Sequence, residues 1–507
     1  MNEFTHDGTP SWLSAYPNDG TLDYFGFRFY RQPFRALLIR GAAANSFTSA
    51  KALIYYGAVA HSFRRMDGLA DDDELSADQL ERWKVYFHSA NYLYVVNRYA
   101  SRNEVPDAGF TGAPTEFDEH FKPFYLSDSG QYNLNDCFGR FYPEQRQWGY
   151  LAQFWRPPMN YFRTLLDVTN CNTGEYSKAC YDVLSEYESW ETFHEILLRG
   201  RITRAELDMI QPILNNYELS ETEQQLAKSI IFDEQSINSV ENLEYLKGYK
   251  LITNIKDNGV SGYHPATKED YALIFSYAHL NNIPLGENDE SWKILLSSLT
   301  FEIGITRLYT WLAKTSHDEV IDELDLEQGL SQWVEKWQSE NDLDGSLGEV
   351  LKKWKEKYLN SITGYETLFS KMLDYNTLDT AIDGVIQGIL ISKASYSDEY
   401  FRSDDYFALS DTYHKFTPQA YFQDKSFDLQ QSFTDFFVQF TKQLIDDQHT
   451  FSYERMSLGQ KAKFILRKYE AQKQYVFQID NRQFEENRGI VNMIGATIDL
   501  WESAGVF

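Results

Sequence analysis

The sequence predicts a mainly α, multi-helical chain, elongated or multi-lobed, with one irregular aromatic insertion and at most minor β structure. Three observations carry that expectation. Apolar residues recur every three or four positions over most of the chain, side-chain caps precede several of those runs, and helix breakers crowd into one stretch. Four segments follow: residues 1–102, an N-terminal helical unit with a basic-aromatic segment; 103–158, the irregular insertion; 159–425, a central helical body; and 426–507, a C-terminal helical unit with a short strand.

In the first segment, residues 34–40 suit a short helix, with Pro33 in the first turn, where a missing donor costs nothing. Asn45 or Ser46 can cap a second helix, whose Ala50, Gly57, Ala58 and Ala60 allow close packing and whose last turn carries Arg64 and Arg65. After the acidic run 71–74, Ser76 and Gln79 spell a capping box. Leu80, Trp83, Phe87, Ala90 and Tyr94 then mark one face of a helix running to about Ser101.

Six of the thirteen prolines, with five glycines between aromatics, lie in 103–158 and forbid long helices there. Helical grammar returns near 159, with capping boxes at Thr203–Glu206 and Ser220–Glu223. Residues 245–265 read as a short strand or loop. Residues 292–314 are apolar nearly all round, as in a central helix buried on several sides. An amphipathic run continues to about 375, and the end of the chain reads as helix, a short strand at Tyr475–Ile479 and a terminal helix.

At 43% hydrophobic and 16% aromatic residues, the composition excludes a disordered chain. The start lacks a basic segment followed by an apolar core, so neither a secretory signal nor a transit peptide is expected. The most apolar stretch, near residue 300, carries Glu302 and Arg307, which makes a membrane span costly. Three cysteines (Cys137, Cys171, Cys180) without zinc-like spacing suit structural thiols in a reducing cytoplasm.

The charge is uneven. The net is -28, yet the 43 residues from Tyr24 to Met66 hold Arg28, Arg31, Arg35, Arg40, Lys51, Arg64 and Arg65 and no acid, leaving the rest of the chain at -35. Two readings stand. The cations neutralise the protein's own acid, including residues 71–74, or they form an anion site for a phosphate backbone or an acidic partner, with guanidinium forks and aromatic faces for stacking.

Several catalytic spellings fail on a detail. His120–Asp128 approaches the HxKxxxxD phosphodiesterase signature with the Asp one residue late and no second copy. Glu340–Leu351 resembles a calcium loop, but Leu351 stands where a bidentate Glu should close the shell, so a capped loop before a helix is the better reading. Phosphate loops, nucleophile elbows, HExxH helices and dinucleotide turns are absent, and His317–Asp318 lacks the partners of an HD metal site. No metal or cofactor is expected. An acid/base pair assembled in space stays open.

The segment DYFGFRFYRQPFRALLIRGAAANSFTSAKALIYYGAVAHSF, the middle helix FEIGITRLYTWLAK and the ending IDLWESAGVF resemble a set of bacterial helical proteins of unknown function, the DUF6361 type, encoded in antiviral defence islands and mobile elements. GAAANSFTSAKA departs from that family's Pro-Gly and Arg-Ala-Arg spelling. The resemblance implies a cytoplasmic accessory or effector component of a defence system and supplies no catalytic residue. The expectation is therefore a non-enzymatic subunit working with other proteins, and with nucleic acid through its basic segment, away from membranes. The alternative is an effector hydrolase of the phosphodiesterase or nuclease kind.

Overall fold

A computed structural model describes residues 25, 50–70, 73–102, 121–127, 130–134, 162–168, 170–214, 219–232, 240–286, 289–316, 320–374, 377–393, 418–423, 427–457, 465–477 and 489–507. The expected helix over 34–40, the cap at Asn45 or Ser46, most of 103–158, His120 and His317–Asp318 lie outside these residues. Helices dominate, with minor β structure, as the periodicity predicts. The chain divides into two compact units: one is Leu37–Gly248 with Val491–Phe507, the other Met1–Ala36 with Tyr249–Ile490.

The first unit is built on α1 (Ala50–Met66), in which every residue from Ala50 to Ala60 is buried. A helix enclosed on all sides needs close neighbours. Gly57 provides one, since a Cβ there would stand 2.9 Å from Cys180 Sγ. Helix α2 (Ala77–Arg102) starts at the expected box: Ser76 N–H donates to Gln79 Oε1 (2.9 Å) and Gln79 N–H to Ser76 Oγ (3.3 Å). Its face of Trp83, Phe87, Ala90 and Tyr94 is buried as the spacing requires.

A short helix, α3 (Lys122–Leu126), precedes strand β1 (Gln131–Asn133), whose Tyr132 ring stacks on Tyr92 of α2. Strands β2 (Leu165–Asp167) and β3 (Asn172–Thr173) pair antiparallel, and α4 (Ser177–Leu184) packs along α1. Helix α5 (Trp190–Arg199) buries Trp190, Phe193, Ile196 and Leu197. It ends where Gly200, at φ 67°, donates its N–H to Ile196 O (2.8 Å), a left-handed turn that glycine makes without Cβ strain. Strand β4 (Arg201–Thr203) pairs antiparallel with β1 and runs into α6 (Arg204–Leu214) through the Thr203–Glu206 box. Helix α7 (Glu221–Ile231) starts from the Ser220–Glu223 box and packs on α1.

Of the stretch 245–265, where a short strand or loop is expected, residues up to 258 belong to a helix, α8 (Val240–Asn258), and a tight turn bridged between Val260 and Tyr263 follows. Tyr249, Leu251, Thr253 and Ile255 mimic strand alternation, but Leu251, Ile252 and Ile255 share the buried side of a helix. In the second unit, α9 (Glu269–Leu280) and α10 (Asp289–Thr315) pack together, and Glu302 of α10 is buried. After β5 (Val320–Asp322), α11 (Glu323–Asn341) ends at Asp342 in the left-handed region (φ 58°). The Ser346–Glu349 box then starts α12 (Leu347–Tyr358), so the calcium-like stretch is the capped loop its residues suggest.

Helix α13 (Ile362–Leu373) follows, and then α14 (Thr380–Ser392), buried from Thr380 to Ile391. Helix α14 crosses α10 at a double glycine: a Cβ on Gly384 would stand 2.6 Å from Gly304 Cα and from Thr300 O. Helices α15 (Pro418–Gln423) and α16 (Phe433–Ser457) precede strands β6 (Leu466–Tyr469) and β7 (Gln474–Phe477). Those strands and β5 form an antiparallel sheet in the order β5-β7-β6. The last helix, α17 (Gly489–Ser503), returns to the first unit, where Ser503 Oγ accepts the Ala50 N–H at the start of α1 (2.9 Å). Among the described residues, no helix is long and apolar enough to cross a membrane.

Candidate functional site

The cation-only run is the site the sequence singles out, and α1 carries three of its seven members. Arg28, Arg31, Arg35 and Arg40 lie outside the described residues. Lys51 and Arg64 turn inward. Lys51 is 1% exposed and forms an ion pair with Glu223 Oε1 of α7, itself 0% exposed. Glu223 is also the third residue of the α7 capping box, its Oε2 accepting the Ser220 N–H (2.8 Å), so one carboxylate closes a helix start and neutralises a buried cation. The Lys51 ammonium lies 5.3 Å from the Tyr187 ring centre. Burial pulls the Lys51 pKa down, and Glu223 pulls it back up. The same surroundings raise the Tyr187 hydroxyl to about 12, chiefly through burial and then through Glu223.

Arg64, also 1% exposed, meets carbonyl groups rather than the side chains of Asp73 and Glu74. Its Nε donates to Ala70 O (2.8 Å), Nη1 to Cys171 O (3.0 Å), and Nη2 to Asp73 O (2.7 Å) and Ala70 O. A planar fork of five N–H donors suits this, because it reaches the carbonyls of Ala70, Asp73 and Cys171 at once. Neither Lys51 nor Arg64 therefore presents its charge to a ligand at the surface. Arg65 does face solvent: its guanidinium sits 5.0 Å from the Tyr181 ring centre and donates to the Tyr181 hydroxyl (2.9 Å).

Beside α1 lies a polar group that the sequence did not reveal. His194 Nδ1 of α5 is 2.7 Å from Tyr86 Oη and 3.0 Å from Ser62 Oγ. Burial lowers the His194 pKa, with Glu191 and Glu195 opposing, and burial holds the Tyr86 hydroxyl protonated. Tyr86 Oη also lies 3.3 Å from Ser62 Oγ, so the three groups form one triangle of polar contacts inside the unit, with Nδ1 of a neutral imidazole accepting from one hydroxyl at a time. Cys171 and Cys180 are buried free thiols, and burial pushes both pKa values up, away from thiolate chemistry.

The second unit sets two carboxylates against indoles, Asp379 exposed at the N-cap of α14 and Asp383 buried within that helix. Along α14, Asp379 Oδ1 accepts from Trp333 Nε1 of α11 (2.5 Å), and one turn later Asp383 Oδ1 accepts from Trp354 Nε1 of α12 (2.8 Å). Burial raises the Asp383 pKa to about 6, with the indoles of Trp354 and Trp337 and the charges of Lys357 and Lys371 opposing. Arg307 repeats the solution of Arg64, donating from Nη2 to Met372 O (2.7 Å) and from Nη1 to Thr377 O (3.0 Å). Among the described residues, no group of three or more His, Cys, Asp or Glu side chains is arranged to hold a metal ion.

No protein-family model, no curated protein and no solved structure matches the chain.

Proposed function

We propose that the chain is a non-enzymatic accessory subunit of a bacterial antiviral defence or mobile-element system, cytoplasmic, binding a protein partner or nucleic acid within a complex. One observation supports this reading most: the polar groups at the heart of each unit, Lys51 with Glu223, Arg64, Arg307 and Asp383, join one helix to another or close a helix end. Such an interior serves shape, and shape serves assembly. Arg65, stacked on Tyr181 at the surface, and the upstream arginines are then the cations a partner would meet. The resemblance to defence-island proteins supplies the cellular setting.

The test is purification of the tagged chain from its own cells at low and high salt, with a phage-plating assay on the deletion strain. A stoichiometric partner or bound nucleic acid that high salt releases, together with weakened resistance, is the expected result. A lone chain and unchanged resistance would sink the proposal.

The Ser62–His194 contact favours a second reading, the effector hydrolase, because a hydroxyl on an imidazole nitrogen is how a nucleophile meets its base. Hydrolysis of bis(p-nitrophenyl) phosphate by the purified chain, abolished in Ser62→Ala and His194→Ala with the fold intact, would establish it in place of the first.

A further inference from the structure

Helix α5 lays a graded surface along one side. Its buried residues leave Glu191, Glu195 and Leu198 exposed at four- and three-residue spacing, a single stripe. Glu188, also exposed, precedes the stripe, and Arg199 and Arg201, both exposed, follow it. No lysine or arginine occurs from residue 179 to 198, so one end is acidic alone, and Leu198, 43% exposed, marks the join to the basic end. Among the described residues, Glu188, Glu191, Glu195 and Arg201 enter no ion pair, while Arg199 is held by Glu206 (2.7 Å).

The helix dipole accounts for acid in the first turn and Arg199 in the last. It does not account for Glu195 in the middle, for an exposed leucine, or for Arg201 beyond the helix end. The ten residues of α5 span about 15 Å, longer than a Debye length of roughly 8 Å, so the two ends hardly neutralise each other within one copy. Opposite charges do meet if a second α5 lies antiparallel about a two-fold axis at Leu198: Glu195, three residues before it, then faces Arg201, three residues after it, at two places.

We infer that this face of α5 is a self-association surface whose occupant is α5 of a second copy of this chain, related by two-fold symmetry. The inference goes beyond the accessory-subunit reading and stands on different residues. A closed two-fold contact uses the same patch twice, which is why one stripe must carry both signs.

Sedimentation velocity on the full chain over a concentration series, at low and high salt, tests it. The wild type is expected to move from one to two chains per particle with concentration and to return to one chain in high salt. Glu195→Lys sets a lysine against Arg201 of the other copy and Arg201→Glu sets a glutamate against its Glu195, so each alone should weaken the dimer by at least about tenfold, as like charge faces like. Mixing the two variants should restore a mixed dimer, and the doubly swapped chain should dimerise with itself. Both side chains are exposed, so circular dichroism should be unchanged. A wild type that stays single at every concentration, or a dimer indifferent to both substitutions, would overturn the inference.

Discussion

Replacing Lys51 by Met separates an architectural cation from a ligand-binding one. The substitution keeps most of the aliphatic stem and removes the charge, leaving Glu223 buried without its cation. Breaking a buried pair from one side costs about 3–5 kcal/mol. Glu223 keeps the Ser220 N–H at 2.8 Å and its contact with Tyr187, which places the expected loss at the lower end, about 3 kcal/mol. Hydrogen exchange of the α1 and α7 amides is the suitable assay, since it reads opening of those helices rather than an average over both units. Adding Glu223→Gln, which still offers an acceptor to Ser220, should recover stability to within about 1 kcal/mol of the wild type. If Lys51→Met leaves exchange unchanged and instead abolishes binding of an anionic ligand, Lys51 is a surface contact and the inward reading is wrong.

Asp383 should make the second unit sensitive to mild acid in an unusual direction. Its folded pKa of about 6 lies above the ordinary 3.8, so the folded state binds the proton more tightly and the associated stability is lost as pH rises from 4 through 6, by about 3 kcal/mol. Asp383→Asn should remove that component, which urea melts of both proteins across the range would show as a converging or diverging stability difference. Gly384→Ala should destabilise by about 1–3 kcal/mol through overpacking against Gly304, read as a lower thermal midpoint, and a neutral result would mean that α10 and α14 part freely. Arg64→Lys should cost about 1.5–3 kcal/mol, because an ammonium cannot reach the carbonyls of Ala70, Asp73 and Cys171 together; proteolysis within residues 67–75 would report the loosened turn.

Local signals were legible and distant pairings were not. Ser76–Gln79, Thr203–Glu206 and Ser220–Glu223 each announce a helix start because both partners lie within three residues. The same Glu223 also receives Lys51 from 172 positions away, and nothing in its local spelling distinguishes that second duty. The indole-carboxylate ladder sits between these cases. Trp333 and Trp337, and Asp379 and Asp383, each stand four apart, so both faces are visible in the sequence, but only the packing of α11, α12 and α14 joins them. Residues 245–265 divide between helix and turn: up to Asn258 the alternation also fits a helix, which burial of Leu251 with Ile255 selects, and Val260 and Tyr263 then pair across a tight turn. The stripe on α5 is faint in the sequence for another reason: a charge gradient within one helix is small beside a seven-cation run.

That run now has a physical explanation for part of its density. Helix α1 is enclosed from Ala50 to Ala60, so the groups at its start need partners from the protein, while its last turn reaches solvent at Arg65. Ser503 and the Lys51–Glu223 pair serve one end, and Arg64, about 20 Å along the helix, serves the turn that leaves the other. Two of the seven cations are thus consequences of burying a helix, and they would be needed whether or not a polyanion ever approached. Any mutational test of binding must respect this division. Loss of binding on changing Lys51 or Arg64 would report a loosened α1, whereas charge reversal at Arg65, exposed on Tyr181, changes a surface contact without disturbing the core. A binding interface in the run predicts that Arg65→Glu alone lowers affinity and its salt dependence at constant stability; equal affinity in that variant would leave only the upstream arginines to carry it.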